Sequence, residues 1–440
     1  MTRLACVSVP GYRVPLSLLE RLSLTRDELS GALLDLQGRT GAAQLCVLST
    51  CERTEVYASW AGDADPASLV RALADNRGVP TSVVEDAAAV LNDRAAARHL
   101  LRVTAGLESF VLGETDIVGQ VRMAAEASRT AGVSGLELER LMATAVNTSR
   151  RVHRQISFGP GARSVAAVAV QVAAARHGGR LTGQNVLVVG AGQVATEVVA
   201  RAGRLGGIVT VCNRTRRHAD RFAAAGATVV SLEQLLDRLA LADVAIFGTA
   251  APHRLVEAAQ LAAARTHASR ELLVIDLCVP RNMDPGVRAL DGVRLLDLAD
   301  LRATGVEESD ELTQDVARAE RIVDEELDRY LRWLAERSAA TSVQRLRADA
   351  EACAREEAAR VTRGIPEEFR GAVEAGLRRA VHRLAHGPTK RLLEAAQSGD
   401  DELVEILAGL FAAPDRVVPD GREDELSRRE LPGPQLARTR

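Results

Sequence analysis

The 440-residue sequence predicts an α/β multidomain chain: an N-terminal α+β domain, a Rossmann-like doubly wound domain, and a long helix leading into an all-helical C-terminal region. Three observations carry this. A chain of this length exceeds one ordinary core. From residue 185, strand, glycine turn, helix and second strand succeed one another within about 30 residues. Beyond residue 305 the sequence keeps an amphipathic helical pattern with no strand signal.

Taken in order, short apolar or alternating runs at 4–9, 44–49 and 54–58 suit strands, with helical patterning over 15–37 and 67–76. A long helical stretch follows from about residue 93, through RAAARHLLRVTAGLESF, VGQVRMAAEASRTAG, LELERLMATAVNTSRRVHRQ and SVAAVAVQVAAARHGG. NVLVVGAGQVATEVVARAGRLGG and IVTVCNRT then open the second domain, whose further strands are expected at 227–230, 243–248, 272–277 and 293–296. Strands alternating with helices imply a parallel sheet. The segment ELTQDVARAERIVDEELDRYLRWLAERSAA aligns Val316, Ile322, Val323, Leu327, Leu331 and Leu334 among dense charges, a stripe that needs another domain or another copy to cover it. Helices are expected at 367–386 and 389–411, and a disordered polar tail after 413. The domain boundaries read 1–158, 159–304, 305–412 and 413–440.

Composition narrows the chemistry. Aromatic residues make up 2% of the chain and the net charge is -3, which argues against a nucleic-acid reader built on stacked rings and leaves only local basic clusters such as Arg150, Arg151 and Arg154, or RRAVHR at 378–383. Lys390 is the sole lysine. Six cysteines at 6, 46, 51, 212, 278 and 353 form no C-x-x-C pair, and the histidines show no H-x-H or H-x-x-x-H spacing, so no metal site is expected. The N-terminus lacks a signal-peptide layout, and the longest apolar stretch, VAAVAVQVAAA, is interrupted by Gln171. A cytoplasmic protein with reduced thiols and no membrane contact is expected.

Gly190, Gly192 and Ala195 form G-x-G-x-x-A between a strand and a helix, so the backbone of Gly190, Ala191, Gly192, Gln193, Val194 and Ala195 is placed to approach a pyrophosphate. At the end of the second strand stand Asn213, Arg214 and Thr215, followed by Arg216 and Arg217. No carboxylate repels a 2'-phosphate there and guanidinium groups can pair with one, so NADPH is the expected cofactor.

LSTCERTEVY at 48–57 holds the other chemical centre. If residues 50–56 are extended, Cys51, Arg53 and Glu55 share one face; the guanidinium then lowers the thiol's pKa or meets a substrate carboxylate. A thiolate, an arginine and NADPH together suggest attack on an activated acyl group, a thioester, and hydride delivery to give an aldehyde.

The ordered series LSTCERTEVY, HLLRVTAGLESFVLGETDIVGQVR (99–122), VLVVGAGQVA (186–195), CNRT (212–215), IDLCVPRNMDP (275–285), ERIVDEELDRYLRWL (320–334) and HGPTKRLLEAA resembles the glutamyl-tRNA reductase family over roughly residues 1–412. The resemblance implies NADPH-dependent reduction of glutamyl-tRNA to glutamate-1-semialdehyde, the opening step of five-carbon tetrapyrrole synthesis. It implies Cys51 as nucleophile, His99 as a catalytic or tRNA-facing group, and Arg53 at the substrate carboxylate. Thr50, Ser109, Glu114 and Gln120 are implied at the substrate pocket. A catalytic N-terminal domain, an NADPH domain, a spinal helix, a C-terminal dimerisation domain and hence a homodimer are implied too, with glutamate-1-semialdehyde aminomutase as a channelling partner. The chain departs from the family pattern at Gly11 and Arg13, at Glu52 in place of asparagine, and at Thr115 and Asp116 in place of Pro-Gln. Glu52 and Asp116, if they face the pocket, oppose an anionic substrate. Competing readings are a paralogue acting on another aminoacyl-tRNA or carrier-bound acyl group, a non-catalytic NADPH-binding regulator, and a shikimate-type dehydrogenase, which the location of Lys390 disfavours.

Overall fold

The computed structural model describes residues 3–60, 65–158, 164–267, 270–303, 310–398, 403 and 406. It contains two compact units, one running from the N-terminus to Leu331 and one beginning at Arg332.

The first unit opens with β1 (Arg3–Pro10), α1 (Leu16–Leu22), α2 (Leu29–Thr40), β2 (Gln44–Ser49), β3 (Arg53–Trp60), α3 (Pro66–Arg77), α4 (Thr81–Ala87) and β4 (Ala89–Asn92). Helices α5 (Asp93–Thr104), α6 (Asp116–Thr130) and α7 (Leu136–Gln155) follow. The strands form an antiparallel sheet in the order β2-β3-β1-β4. β3 is central and buried along its whole length, yet reads Arg-Thr-Glu-Val-Tyr, so charged side chains are forced inside and must find partners there. Its apolar residues share a core with α2 and α3. The helical patterning over 15–37 resolves into two helices, and β4 is a strand that the sequence did not signal. Its four residues pair with Ala5–Ser8 at the sheet edge.

The second half of this unit comprises α8 (Val165–Ala175), β5 (Asn185–Val189), α9 (Gln193–Arg204), β6 (Ile208–Asn213), α10 (Arg216–Ala219), β7 (Thr228–Ser231), α11 (Leu235–Leu241), β8 (Val244–Phe247), α12 (Ala258–Ala264), β9 (Leu272–Asp276), β10 (Val293–Asp297) and α13 (Leu298–Ala303). The six strands are all parallel, in the order β10-β9-β8-β5-β6-β7. The order reverses between β5 and β8, and the crevice at such a reversal is where doubly wound sheets bind ligands. β5, NVLVV, is buried on both faces, as a central parallel strand requires.

α14 (Asp310–Val361) is a single helix of 52 residues. Up to Leu331 its apolar stripe, Ala319, Ile322, Val323, Leu327 and Tyr330, is buried within the first unit. Flanking ion pairs hold it there: Glu320 and Asp324 meet Arg98 of α5 at 2.7 and 2.8 Å, and Glu326 meets Arg151 of α7 at 3.0 Å. Of the expected stripe, Ile322, Val323 and Leu327 find cover within this unit, while Val316, Leu331 and Leu334 are half-buried.

The second unit, as far as described, is helical. α14 continues to Val361, and α15 (Glu367–Ser398) packs on it through Ala339, Val343, Leu392 and Ala395, with Glu351 bridging Arg378 and His382. The expected break at 387–388 is absent: Pro388 sits inside α15, and Thr389 Oγ1 donates to the Ala385 carbonyl at 2.8 Å beside it. Phe369 and Leu384 of this unit are exposed. The tail expected after 413 lies outside the described residues. No helix among them is long and apolar enough to cross a membrane.

Candidate active site

β2 and β3 pair as far as Ser49 and Thr54, and residues 50–53 close a tight turn between them. The Thr50 N–H donates to the Arg53 carbonyl at 2.9 Å, and Thr50 Oγ1 accepts the N–H groups of Glu52 and Arg53 at 3.0 and 3.2 Å. The extended conformation expected from residue 50 therefore fails at 50–52, because a side-chain hydroxyl satisfies the turn's backbone donors. Cys51 stands at the apex and no longer shares a strand face with Arg53. Thr50 shapes the turn rather than lining a pocket.

Beneath the apex lies a buried charge network. Arg53, 1% exposed, has its guanidinium 3.3 Å from Glu55, 3.9 Å from Glu52 and 3.8 Å from Glu108. Glu55 Oε1 also accepts Ser8 Oγ at 2.9 Å and meets His99 Nε2 at 2.8 Å, while Tyr57 donates to Oε2 at 2.7 Å. His99 Nδ1 lies 3.1 Å from Glu108, which Arg102 also holds, at 2.9 Å. Burial opposes charge on every member. The carboxylates overcome it at His99, lifting it to about 9, and His99 with Arg53 holds Glu55 down to about 2. His99 is thus an imidazolium clamped by two carboxylates, with neither ring nitrogen free to act as a base. Cys6, Glu55 and His99 bring ligand atoms within 4.8 Å of one another; Arg53 also engages Glu55, and burial pushes the Cys6 thiol up.

The thiol of Cys51 does not behave as the sequence suggested. Burial raises its pKa, and Glu52 and Glu114 raise it further; the opposing cation is Arg302 and not Arg53. Arg53 is turned into the network, so the lowered thiol pKa expected from its neighbouring position does not arise.

α5 ends at Thr104, six residues short of the helical stretch expected through Phe110, because the chain there forms a closed loop. Gly106 and Gly113 both adopt left-handed φ, at 76° and 75°, and the Gly113 N–H donates to the Gly106 carbonyl at 3.0 Å. The ring of Phe158 covers Gly113, where a Cβ would meet it at 2.3 Å. The loop presents Glu108 to the network, and its Phe110 N–H donates to the Glu52 carboxylate at 3.1 Å. A cleft of ≈ 620 Å³ opens here, lined by Glu52, Arg53, His99, Ser109, Phe110 and Arg302 among others. Thr50, Cys51, Glu114 and Gln120 are not among its lining residues. Glu114, at the loop's end, is lifted to about 8 by burial and by Glu52 and Asp116. Neither unexpected carboxylate stands free in the cleft: Glu52 engages Phe110 and Arg53, and Asp116 accepts a hydrogen bond from Gln193.

That last bond joins the catalytic side to the glycine turn. Gly190 has φ 119°, and a Cβ on it would stand 2.4 Å from the Gly248 carbonyl oxygen, so the sharp turn after β5 tolerates no other residue. Gly192 precedes α9 with open space where its Cβ would be, and no side chain caps the helix. Backbone donors of Gln193, Val194 and Ala195 are therefore available to a phosphate. Arg221 closes over this turn, donating to the Ala191 carbonyl at 2.7 Å and to Thr196 Oγ1 at 2.9 Å. Asn213 donates to the Thr215 carbonyl at 2.9 Å, and Arg214, Arg216 and Arg217 are exposed beside it. This geometry fits a dinucleotide carrying a 2'-phosphate.

Cys51 and Phe110 pack against the same buried cluster of the parallel-sheet domain as Ala191 and Val194 of the glycine turn. Arg281, from the loop after β9, fastens the two halves together through three hydrogen bonds to Glu20 of α1, each 2.8 Å. Arg221, Glu108, Arg281 and Arg302 were not singled out by the sequence, although Glu108 and Arg281 lie inside the quoted motifs at 99–122 and 275–285. Of the nominated basic clusters, Arg151 is neutralised by α14, Arg150 and Arg154 line a second hollow with Arg329, and Arg378 pairs with Glu351.

Comparison with known proteins matches the chain to glutamyl-tRNA reductases by sequence. Residues 7–156 match the family described as glutamyl-tRNAGlu reductase, N-terminal domain, residues 171–304 match shikimate/quinate 5-dehydrogenase, and residues 318–413 match the glutamyl-tRNAGlu reductase dimerisation domain. Glutamyl-tRNA reductase 2 of Nocardioides sp. is 50% identical over 430 residues, 97% of this chain and 95% of that protein. Glutamyl-tRNA reductase of Salinispora arenicola is 34% identical over 411 residues, covering 91% and 90% of the two chains. The solved glutamyl-tRNA reductase of Methanopyrus kandleri aligns with 92% of this chain and 98% of its own, at 28% identity and TM-score 0.48.

Proposed function

Because the chain belongs to the glutamyl-tRNA reductase family, oxidoreductases of the first committed step of tetrapyrrole biosynthesis, we propose that Cys51 takes the glutamyl group from glutamyl-tRNA as a thioester, which is reduced to glutamate-1-semialdehyde. The observation that carries the reading is the seat of Cys51: a strand-turn apex packed against the cluster that also carries the glycine turn. A thiol placed there meets an acyl group on one side and a dinucleotide on the other.

Within the chain alone the thiol keeps its proton, held by burial and by the Glu52 carboxylate. The α-ammonium of an arriving glutamyl group offsets that charge, so loss of the thiol proton to solvent is coupled to substrate arrival. Sγ then attacks the ester carbonyl carbon, and the bond from that carbon to the ribose oxygen breaks. Glu114, lifted to about 8, retains a proton at neutral pH and supplies one for the departing oxygen. NADPH, when bound, would supply the hydride to the thioester carbonyl carbon. The aldehyde forms as the carbon–sulfur bond breaks and its electron pair returns to Sγ. Gly190 to Ala195 and Arg221 hold the pyrophosphate side, and Arg214, Arg216 and Arg217 face the 2'-phosphate. The helical C-terminal region makes the homodimer, and the aldehyde passes to an aminomutase.

The test is the acyl adduct. Incubation with glutamyl-tRNA in the absence of NADPH is expected to add one glutamyl mass to the Cys51 peptide, and Cys51→Ser to abolish both adduct and NADPH oxidation. Turnover persisting in Cys51→Ser overturns the reading.

A further inference from the structure

Aromatic side chains are scarce in this sequence, and folding hides most of them. Tyr57, Trp60 and Tyr330 are buried, and Phe110 is half-buried. Tyr12, 60% exposed, is the one exposed aromatic ring among the described residues of the first unit. A single ring in water needs no explanation by itself. Tyr12, however, stands at the rim of the cleft that Arg53, His99 and Ser109 line.

The backbone holds it there. Tyr12 sits in a turn closed by the Arg13 N–H, which donates to the Pro10 carbonyl at 3.0 Å, and the Gly11 N–H donates to the Glu52 carbonyl at 2.7 Å. The turn bearing Tyr12 is thus bonded directly to the turn bearing Cys51. Only glycine permits so close an approach: a Cβ at residue 11 would stand 2.8 Å from Leu19 and 2.9 Å from the Glu52 carbonyl oxygen. Arg13, also exposed, places its guanidinium 5.7 Å from the centroid of the Tyr12 ring, and among the described residues no carboxylate pairs with it. Gly11 and Arg13 are two of the positions at which the chain departs from the family pattern, so this arrangement is the chain's own.

An acyl group carried on the 3' end of a tRNA brings a ribose and a base with it. When the acyl group enters the cleft, the base lies one sugar away, toward the rim. Unpaired bases are held by stacking on aromatic rings and guanidinium planes, and their phosphates by cations. We propose that Tyr12 is the platform on which the terminal adenine of the charged tRNA stacks, with Arg13 turned to the adjoining phosphate. Because Gly11 ties that platform to the Cys51 turn, seating the base also sets where the ester carbonyl falls relative to the sulfur. The inference rests on the reductase reading above.

The test uses the full chain and two inhibitors of its NADPH oxidation with glutamyl-tRNA. One is 3'-glutamylamino-3'-deoxyadenosine, an amide mimic of the charged terminus; the other is its counterpart lacking the adenine. In the unaltered chain the adenine is expected to lower the inhibition constant by about tenfold or more, the worth of one stacked base. Tyr12→Ala is expected to remove that gain, to leave the inhibition constant of the base-free compound as it was, and to raise KM for glutamyl-tRNA by a similar factor. Tyr12→Phe keeps the ring and is expected to keep the gain. An adenine gain that survives in Tyr12→Ala overturns the assignment. So does an equal weakening of both compounds in that variant, which would mean that the turn and not the ring had been disturbed. If the unaltered chain reduces no glutamyl-tRNA, the reductase reading fails first and takes this inference with it; turnover of glutamyl-tRNA with no adenine gain removes only the inference.

Discussion

The charge network under Cys51 and the glycine turn after β5 solve opposite problems. In the network, Arg53, Glu55, His99 and Glu108 hydrogen-bond one another within the chain. In the turn, side chains are removed and backbone donors are left for a ligand. A polar residue in a candidate site is therefore not by that fact a ligand-binding residue. What decides is whether its partners are already present.

The largest expected effect separates the two regions. Arg53→Ala takes the guanidinium from the buried Glu52 and Glu55 and from the half-buried Glu108, and breaking a buried ion pair from one side costs about 3–5 kcal/mol. Urea unfolding is expected to show that loss. Gly190→Ala is expected to cost less stability, about 1–3 kcal/mol for the strained turn, while lowering affinity for NADPH, followed by nucleotide fluorescence, by at least about tenfold. If Arg53→Ala unfolds like the unaltered chain but fails to bind substrate, the contrast is wrong and Arg53 is a ligand-binding residue after all.

The network also gives a pH signature. The folded pKa of His99 is raised from 6.5 to about 9, so its contribution to stability is complete below the unfolded value and disappears as pH climbs through about 9. A shift of that size is worth about 3 kcal/mol. Glu55 gives the converse: stability present above 4.5 and lost as pH falls toward about 2. Glu114, raised to about 8, makes the fold less stable as pH rises from 4.5 through 8. Unfolding midpoints between pH 6 and 9.5 are expected to fall. Replacing His99 by Gln removes the upper part of that fall, and Glu114→Gln removes the part below pH 8. A flat profile in the unaltered chain contradicts the clamp.

The same contrast explains what the sequence could reveal. The parallel sheet and its turn follow from local pattern: apolar runs, glycine spacing, an alternation of periods. The strands of the first sheet were equally legible, except β4, four residues whose pairing with β1 is wholly non-local. Cys51 and Ser109 could be nominated from motifs, but the partners of Arg53 could not. Side-chain alternation along 50–56 suggested the thiol, whereas Thr50 turns the chain at the decisive place and the partners come from residues 55 and 108. Arg302 had no signal at all, since its relation to Gly11 spans some 290 residues of sequence and exists only once the two halves meet.

The smallest effect bears on the thiol itself. If burial and carboxylates hold the Cys51 proton, iodoacetamide should alkylate Cys51 slowly at pH 8 relative to the exposed Cys353, with peptide mass mapping to separate them from the buried cysteines. Glu52→Gln removes one of the two charges acting on the sulfur while keeping an acceptor for the Phe110 N–H, so the rate at Cys51 is expected to rise several-fold, about what a fraction of a pKa unit gives. The rate at Cys353 should not change. A rise at both sites would mean the loop had opened instead. No rise at Cys51 would mean that desolvation alone governs the sulfur, and the departure at residue 52 would then matter to Phe110 and Arg53 but not to the nucleophile.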